Sequence, residues 1–237
     1  MQPLKRYVDA GRHDFIAVAG RNHRVYAGYQ YALRRHNRKT VVTSDTDLCA
    51  EGPPGSGNTF FITGFEIANP GASIASHHHV FAQVERAVLF SVPLLLIVRE
   101  PAACVLSRAV SFRDPIMIGP VYRQWLSFWQ RAVNYVDDSV LIDFDTMTSV
   151  PARVIERLNM KFGTEFSSDF PSRDGVFAEM DRRRAEKNLP MDINPNRPDD
   201  RKLQMRSYLR PFVENHRLAR PAAALYQQVM ERVAQHV

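Results

Sequence analysis

Between residues 47 and 68 a short apolar run, Asp47–Glu51, breaks into Gly52-Pro53-Pro54-Gly55-Ser56-Gly57-Asn58-Thr59 and resumes with helical spacing at Phe60, Phe61, Phe65 and Ile67. A strand that enters a helix through such a loop restricts the architectures open to the chain. The glycines let the backbone turn tightly, so that amide groups point inward at an anion and the next helix adds its positive dipole end. Ser56, Asn58 and Thr59 add side-chain donors for phosphate oxygens. In a triphosphate loop, G-x-x-x-x-G-K-[ST], a lysine follows the last glycine. Gly52 and Gly57 have that spacing, but Asn58 stands in the lysine's place. The motif reads as a phosphate cradle that lacks the triphosphate lysine.

Further along, short apolar runs alternate with helical patterns, the signature of a parallel α/β sheet. Strands are predicted at Ala72–Ser76, Leu94–Val98 and Val140–Phe144, in addition to the first. Leu94-Leu95-Leu96-Ile97-Val98 is apolar throughout, as expected of a strand covered on both faces. Helices are predicted around Val80–Val88, from Pro101 through Ala109, along Val121–Val136, and from Val154 to a stop at Gly163. The expected fold class is α/β: a three-layer α/β/α domain with a central parallel sheet of four to five strands, like that of the P-loop NTPases. One domain spans residues 1–237, with a basic, peripheral N-terminal extension over 1–44 and a long lid or acceptor loop over 167–200. Two helices, about 199–217 and 220–236, close the chain.

Composition narrows the classes of function. At 237 residues, 45% hydrophobic and 24% charged, the chain can bury a core and shows no sign of disorder. Its net charge of +6 suits an anionic ligand. The densest basic run, Arg34, Arg35, Arg38 and Lys39, reads as a solvated helix, and no nucleic-acid partner is expected. Cys49 and Cys104 sit in apolar settings and read as small buried hydrophobes. The longest apolar stretch, Ala87–Val98, is too short and too broken to span a membrane, and no leader is visible. The expectation is a soluble cytoplasmic protein; its oligomeric state is not legible.

Three further groups carry chemistry. Arg99-Glu100-Pro101 follows the best strand, with Ser107 eight residues beyond Arg99. Ligands of open α/β sheets bind outside the carboxyl ends of the strands, where an arginine fork and a serine hydroxyl suit a phosphate. Two such sites imply a ligand with two separated phosphate-type ends. Next, Ser76-His77-His78-His79 follows a predicted strand. In extended chain His77 and His79 share one face and His78 takes the other. No carboxylate or cysteine stands near them at ligand spacing, which disfavours a metal. Finally, Asp143 and Asp145 close the last strand. They fit helix capping, or magnesium binding in a phosphoryl-transfer enzyme.

Gly52–Phe60 together with Arg99, Pro101 and Ser107 resembles the sulfotransferase family that uses 3'-phosphoadenosine 5'-phosphosulfate (PAPS). Pro54-Gly55-Ser56-Gly57-Asn58-Thr59 is similar to its phosphosulfate loop, P-[KR]-S-G-[NST]-T, and Arg99, Pro101 and Ser107 match its 3'-phosphate motif, R-x-P-x-x-x-x-x-S. The likeness covers about residues 45–215 in the order of elements. It implies that Gly52–Thr59 hold the phosphosulfate and that Arg99 and Ser107 hold the 3'-phosphate. It also implies that a histidine, His79 or else His77, takes the proton of a hydroxyl or amine acceptor, a small molecule or a glycan, without a metal. The products are the sulfated acceptor and adenosine 3',5'-bisphosphate. Basic residues at Arg197–Lys202, Arg201 among them, are placed to cap the 3'-phosphate, although the family's R-K-G signature is absent. Gly55 stands where the family has a lysine or arginine, so either Arg108, Arg113 or Arg201 replaces that cation or the chain binds nucleotide and transfers poorly. The alternatives are a magnesium-dependent nucleotide kinase or NTPase and a non-enzymatic nucleotide-binding member of the fold. Acceptor pockets in this family are built from loops, here 110–120 and 167–200.

Overall fold

All five residues of Leu94–Val98 are buried in the computed structural model, which describes residues 3–33, 40–187 and 200–235. This strand, β3, is central in a sheet with β1 (Leu48–Glu51), β2 (Ile74–Ser76) and β4 (Val140–Asp143). All four strands are parallel, in the order β2-β1-β3-β4. Alternate side chains enter different cores. Leu94, Leu96 and Val98 join Cys49 and Leu141 on one face, while Leu95 and Ile97 join Leu48, Ala50 and Ile142 on the other.

The first core is covered by α4 (Phe81–Leu89), α5 (Pro101–Phe112), α6 (Ile118–Ala132), α10 (Asp200–Glu214) and α11 (Ala219–Gln235). The second is covered by α3 (Asn58–Ala68), α8 (Pro151–Phe162) and α9 (Arg173–Glu186). The expected three-layer α/β/α arrangement follows, with four strands. Chain direction splits at the centre: β1 leads through α3 to β2 on one side, and β3 leads through α5 and α6 to β4 on the other. A crevice therefore opens outside the carboxyl ends of β1 and β3, where open α/β sheets bind ligands.

Two expectations change. The N-terminal segment is not a peripheral extension. Helix α1 (Pro3–Ala19) packs along α6, and α2 (His23–Leu33) packs on α4. Tyr26, Val41 and Val42 are buried. Arg34, Arg35, Arg38 and Lys39 lie outside the described residues. The stretch 167–200, expected to be a loop, contains α9, fourteen residues long. Only Val176 and Met180, four residues apart, are buried on it. Two apolar positions in a charged sequence carry no visible period. Residues 188–199 lie outside the described ones.

Tyr26 ties the N-terminal helices to the body, because its Oη is 2.8 Å from Nδ1 of the buried His78. Tyr26→Phe removes that partner and leaves the ring nitrogen unsatisfied. Urea denaturation should show a loss of about 1–3 kcal/mol.

Candidate functional site

The loop after β1 owes its shape to its glycines. Gly55 and Gly57 have φ of 91° and 92°, a region that side chains disfavour. A Cβ at Gly55 would lie 2.8 Å from the carbonyl oxygen of Cys104, and one at Gly57 would lie 2.8 Å from the Phe144 ring. Among the described residues no carbonyl takes the amides of Gly55, Gly57, Asn58 or Thr59. With the N-terminus of α3, these groups form an anion cradle. Ser56, expected to donate to a ligand, faces inward instead. Its buried Oγ lies 2.7 Å from both Pro53 O and Asn58 Oδ1. Asn58 Nδ2 donates to Gly52 O at 3.4 Å, so both side chains brace the loop. Pro54 is buried, and Thr59 is exposed on the cavity wall.

Arg99, at the end of β3, clamps the cradle. Its Nη1 donates to Gly55 O at 2.7 Å, and its guanidinium lies 3.8 Å from the centre of the Phe144 ring. Phe144 follows β4 and also abuts Gly57. Loops from three strand ends therefore meet at one arginine. Sequence reasoning placed Arg99 on phosphate; the structure gives it a loop-bracing contact as well as a place on the cavity wall.

Glu51, the last residue of β1, is fully buried. Its carboxyl oxygens accept the backbone N–H groups of His78 at 3.1 Å and His79 at 2.8 Å, and the amide of Gly52 adds a third donor. Burial pushes the carboxyl up to about 8 against the pull of these donors. The same contacts fold the histidine segment back on the cradle. His77 and His79 take positive φ, so the chain is not extended there. The expected division still holds, since His77 and His79 line the cavity and His78 points away from it. His78 Nε2 is 2.8 Å from Thr40 Oγ1.

His79 is fixed on both sides. Its Nδ1 is 2.7 Å from Gly52 O. A carbonyl only accepts, so Nδ1 carries the proton and Nε2 keeps its lone pair. The His79 carbonyl accepts from Gln124 Nε2 at 3.2 Å, and Gln124 Oε1 is 2.8 Å from His13 Nδ1 of α1. Burial first, then the neighbouring His77, lowers His79 to about 3; burial lowers His78 to about 4.

The cavity outside these strand ends measures about 740 Å³. Among the described residues its wall carries eight arginine and lysine side chains and one carboxylate, Glu66, so it suits an anion. Ser107 and Arg108 of α5 face it, as do Lys202 and Arg206, one turn apart on α10. The buried Nε atoms of Arg108 and Arg206 have no hydrogen-bond partner among the described residues. Burial lowers the pKa of both, and for Arg206 the nearby Arg99 and Arg210 add to the effect. Arg113, expected as a replacement cation, is the left-handed C-cap of α5 and is not on this wall. Arg201 lies in the first turn of α10, but its side chain is outside the described residues.

Glu51, Phe144 and Arg206 escaped sequence reasoning. Only Arg206, four residues after Lys202, left a signal, a helical pair of cations. Asp143 caps α7 (Phe144–Ser149), with Oδ1 accepting from Thr146 N at 2.9 Å. Asp143 and Asp145 border a separate pocket of about 160 Å³. Among the described residues no three His, Cys, Asp or Glu side chains converge as a metal site.

The opposed shifts of Glu51 and the two histidines set a pH optimum for stability. His78 and His79, lowered from 6.5, contribute stability above 6.5 that is lost as pH falls through 4 and 3. Glu51, raised from 4.5, contributes stability below 4.5 that is lost as pH rises through 8. From pH 4.5 to 6.5 two groups oppose one, so the melting temperature should rise with pH, peak near 6.5 and then fall. Glu51→Gln should flatten the alkaline fall.

Gly55 admits no side chain without movement of Cys104. Gly55→Arg, which places a cation as in the resembled motif, should cost about 2 kcal/mol or more in chemical denaturation, and Gly55→Ala a similar amount, because the cause is the backbone.

Comparison of the chain with protein-family models, curated proteins and solved structures finds no match in any of the three.

Proposed function

We propose that the cavity binds PAPS and that the chain moves its sulfuryl group to a hydroxyl or amine acceptor, on a fold of the P-loop NTPase kind. The observation that carries this reading is that two anion-binding features open on one cavity. They are the cradle amides of Gly55, Gly57, Asn58 and Thr59 and the cationic group Arg99, Arg108, Lys202 and Arg206. Such a pair suits a ligand with phosphate-type groups at two separated points. The cradle and the start of α3 would hold the phosphosulfate. Ser107, Arg206 and Lys202, with the remaining donors of Arg99, would hold the 3'-phosphate.

Bound PAPS supplies an activated sulfuryl group whose leaving group is a phosphate. The chain's own part is positioning and charge. Nδ1–H on Gly52 O keeps the His79 ring in the tautomer with a basic Nε2, and the acceptor's proton would go to that nitrogen. With its pKa lowered to about 3, the ring is neutral at any working pH, with a free lone pair but little basicity of its own. A polyanion beside it raises its basicity by Coulomb attraction. Arg108 is the cation this reading assigns to the charge that Gly55 cannot carry, because it lines the same cavity with a buried Nε that has no partner among the described residues.

Calorimetric titration with adenosine 3',5'-bisphosphate tests this. Wild type should bind, and Arg206→Ala should bind about tenfold more weakly or worse, a loss of about 1.4 kcal/mol. His79→Ala should keep nucleotide binding and lose transfer. No binding by folded wild type would end the reading. Magnesium-dependent ATP hydrolysis lost in Asp145→Asn would favour an NTPase instead.

A further inference from the structure

One wall of the cavity has no part in holding the donor as just described. It is α9, which packs on α3. Arg173, Phe177, Met180, Arg184 and Lys187 all line the cavity, at sequence steps of four, three, four and three. That spacing is one continuous stripe on a helix. Arg182 and Glu186, off the stripe, do not line the cavity and instead pair with each other. Basic residues scattered for solubility would be spread around the helix, so concentration on the cavity face needs a cause.

The stripe is cationic at its ends and apolar in its middle. Arg173 begins α9, with its guanidinium 5.6 Å from the centre of the Phe177 ring, and Phe177 in turn packs on Phe60 at 5.9 Å. Arg184 and Lys187 form the other end. Fourteen residues separate Arg173 from Lys187, about 21 Å along a helix. Among the described residues the one carboxylate on the wall, Glu66, is already engaged by Arg183, so it does not neutralise the stripe. Arg183 thereby ties α9 to α3, and it also holds Glu179 of its own helix at 2.6 Å. His77, whose ring centre is 6.2 Å from that of His79, lies on the same cavity wall.

We infer that the acceptor is an elongated polyanion of the acidic-oligosaccharide type, bearing carboxylate or sulfate groups that α9 reads at both ends of its stripe. This rests on the function proposed above, which assigns the cradle and the α5–α10 cations to the donor. The part-exposed Phe177 accommodates the face of a sugar ring, and the cationic ends set the direction in which the acceptor lies. A neutral or cationic acceptor of the same size is disfavoured by the charge of the wall.

The test uses the full chain saturated with adenosine 3',5'-bisphosphate, titrated with a dextran sulfate oligosaccharide and with unsulfated dextran of equal length. Wild type should bind the sulfated probe at least about tenfold more tightly than the neutral one. The double variant Arg173→Ala, Lys187→Ala should lose that preference. A charge-matched control on exposed residues off the cavity, Arg153→Ala with Arg220→Ala, should keep it. Equal losses in both double variants would reduce the effect to overall charge and overturn the inference. So would a wall variant whose affinity for the nucleotide falls instead, since α9 would then belong to the donor site. If wild type binds no nucleotide yet the sulfated probe alone still separates the two double variants, the donor reading fails while the anion-binding wall stands.

Discussion

A carboxyl group buried at the end of β1, an inner strand of the sheet, organises this site. Glu51 cannot reach water, so its oxygens must be met by donors from the chain. The nearest are backbone amides, and they come from both sides: Gly52 from the start of the cradle, His78 and His79 from the segment after β2. One residue thus fixes the separation of two loops that the sheet alone leaves adjustable. The effect continues outward. With its amide held by Glu51, His79 places its ring on Gly52 O and its carbonyl on Gln124, and Gln124 reaches His13 on the first helix. The N-terminal helices are tied to the site by hydrogen bonds as well as by packing.

A second constraint works through bulk. Arg99 can reach Gly55 O and lie over Phe144 only because Gly55 and Gly57 let the loop pass close to Cys104 and to the Phe144 ring. In such a loop a cation at position 55 has no room at its first side-chain atom. Positive charge enters the cavity instead from α5 and α10, through Arg108, Lys202 and Arg206. The departure of Gly55 from the resembled pattern and the clustering of these cations are two sides of one geometric fact. Charge supplied from these helices lines the same cavity as the cradle amides.

The parts legible in sequence were those governed by local chemistry or by a uniform environment. β3 reads directly because both its faces are covered, and the glycine loop reads because only glycine suits its backbone. Arg99, His77 and His79 are legible because they stand at strand ends or within a turn of them, and Ser107 because its spacing from Arg99 suits a phosphate site. What stayed hidden depends on tertiary contact. Glu51 looks like an ordinary polar end to a strand, and nothing local says that three amides will converge on it. Ser56 looks like a ligand donor until the loop closes and turns it inward. Helix α9 hides because two buried side chains suffice to seat it, and its other regularity, the cationic stripe, has meaning only once a cavity lies beside it.

The cavity as a whole is out of electrostatic balance. Arg108 and Arg206 have buried nitrogens without partners among the described residues, Arg206 is repelled by Arg99, and His79 is kept neutral by burial and by its neighbours. Each condition opposes the charged form of a basic group, and together they oppose the compact arrangement of the cavity wall. A fold tolerates such an arrangement where its surroundings determine it strongly, as the Glu51 and Arg99 contacts do here. Anionic groups between the cradle and α10 would give the orphaned nitrogens their acceptors, screen Arg99 from Arg206 and raise the basicity of His79 in one step. An uncharged ligand of equal size would do none of these. The imbalance therefore selects for negative charge before any particular contact is considered, and the same logic extends along α9, where among the described residues the cations outnumber the single carboxylate on the wall.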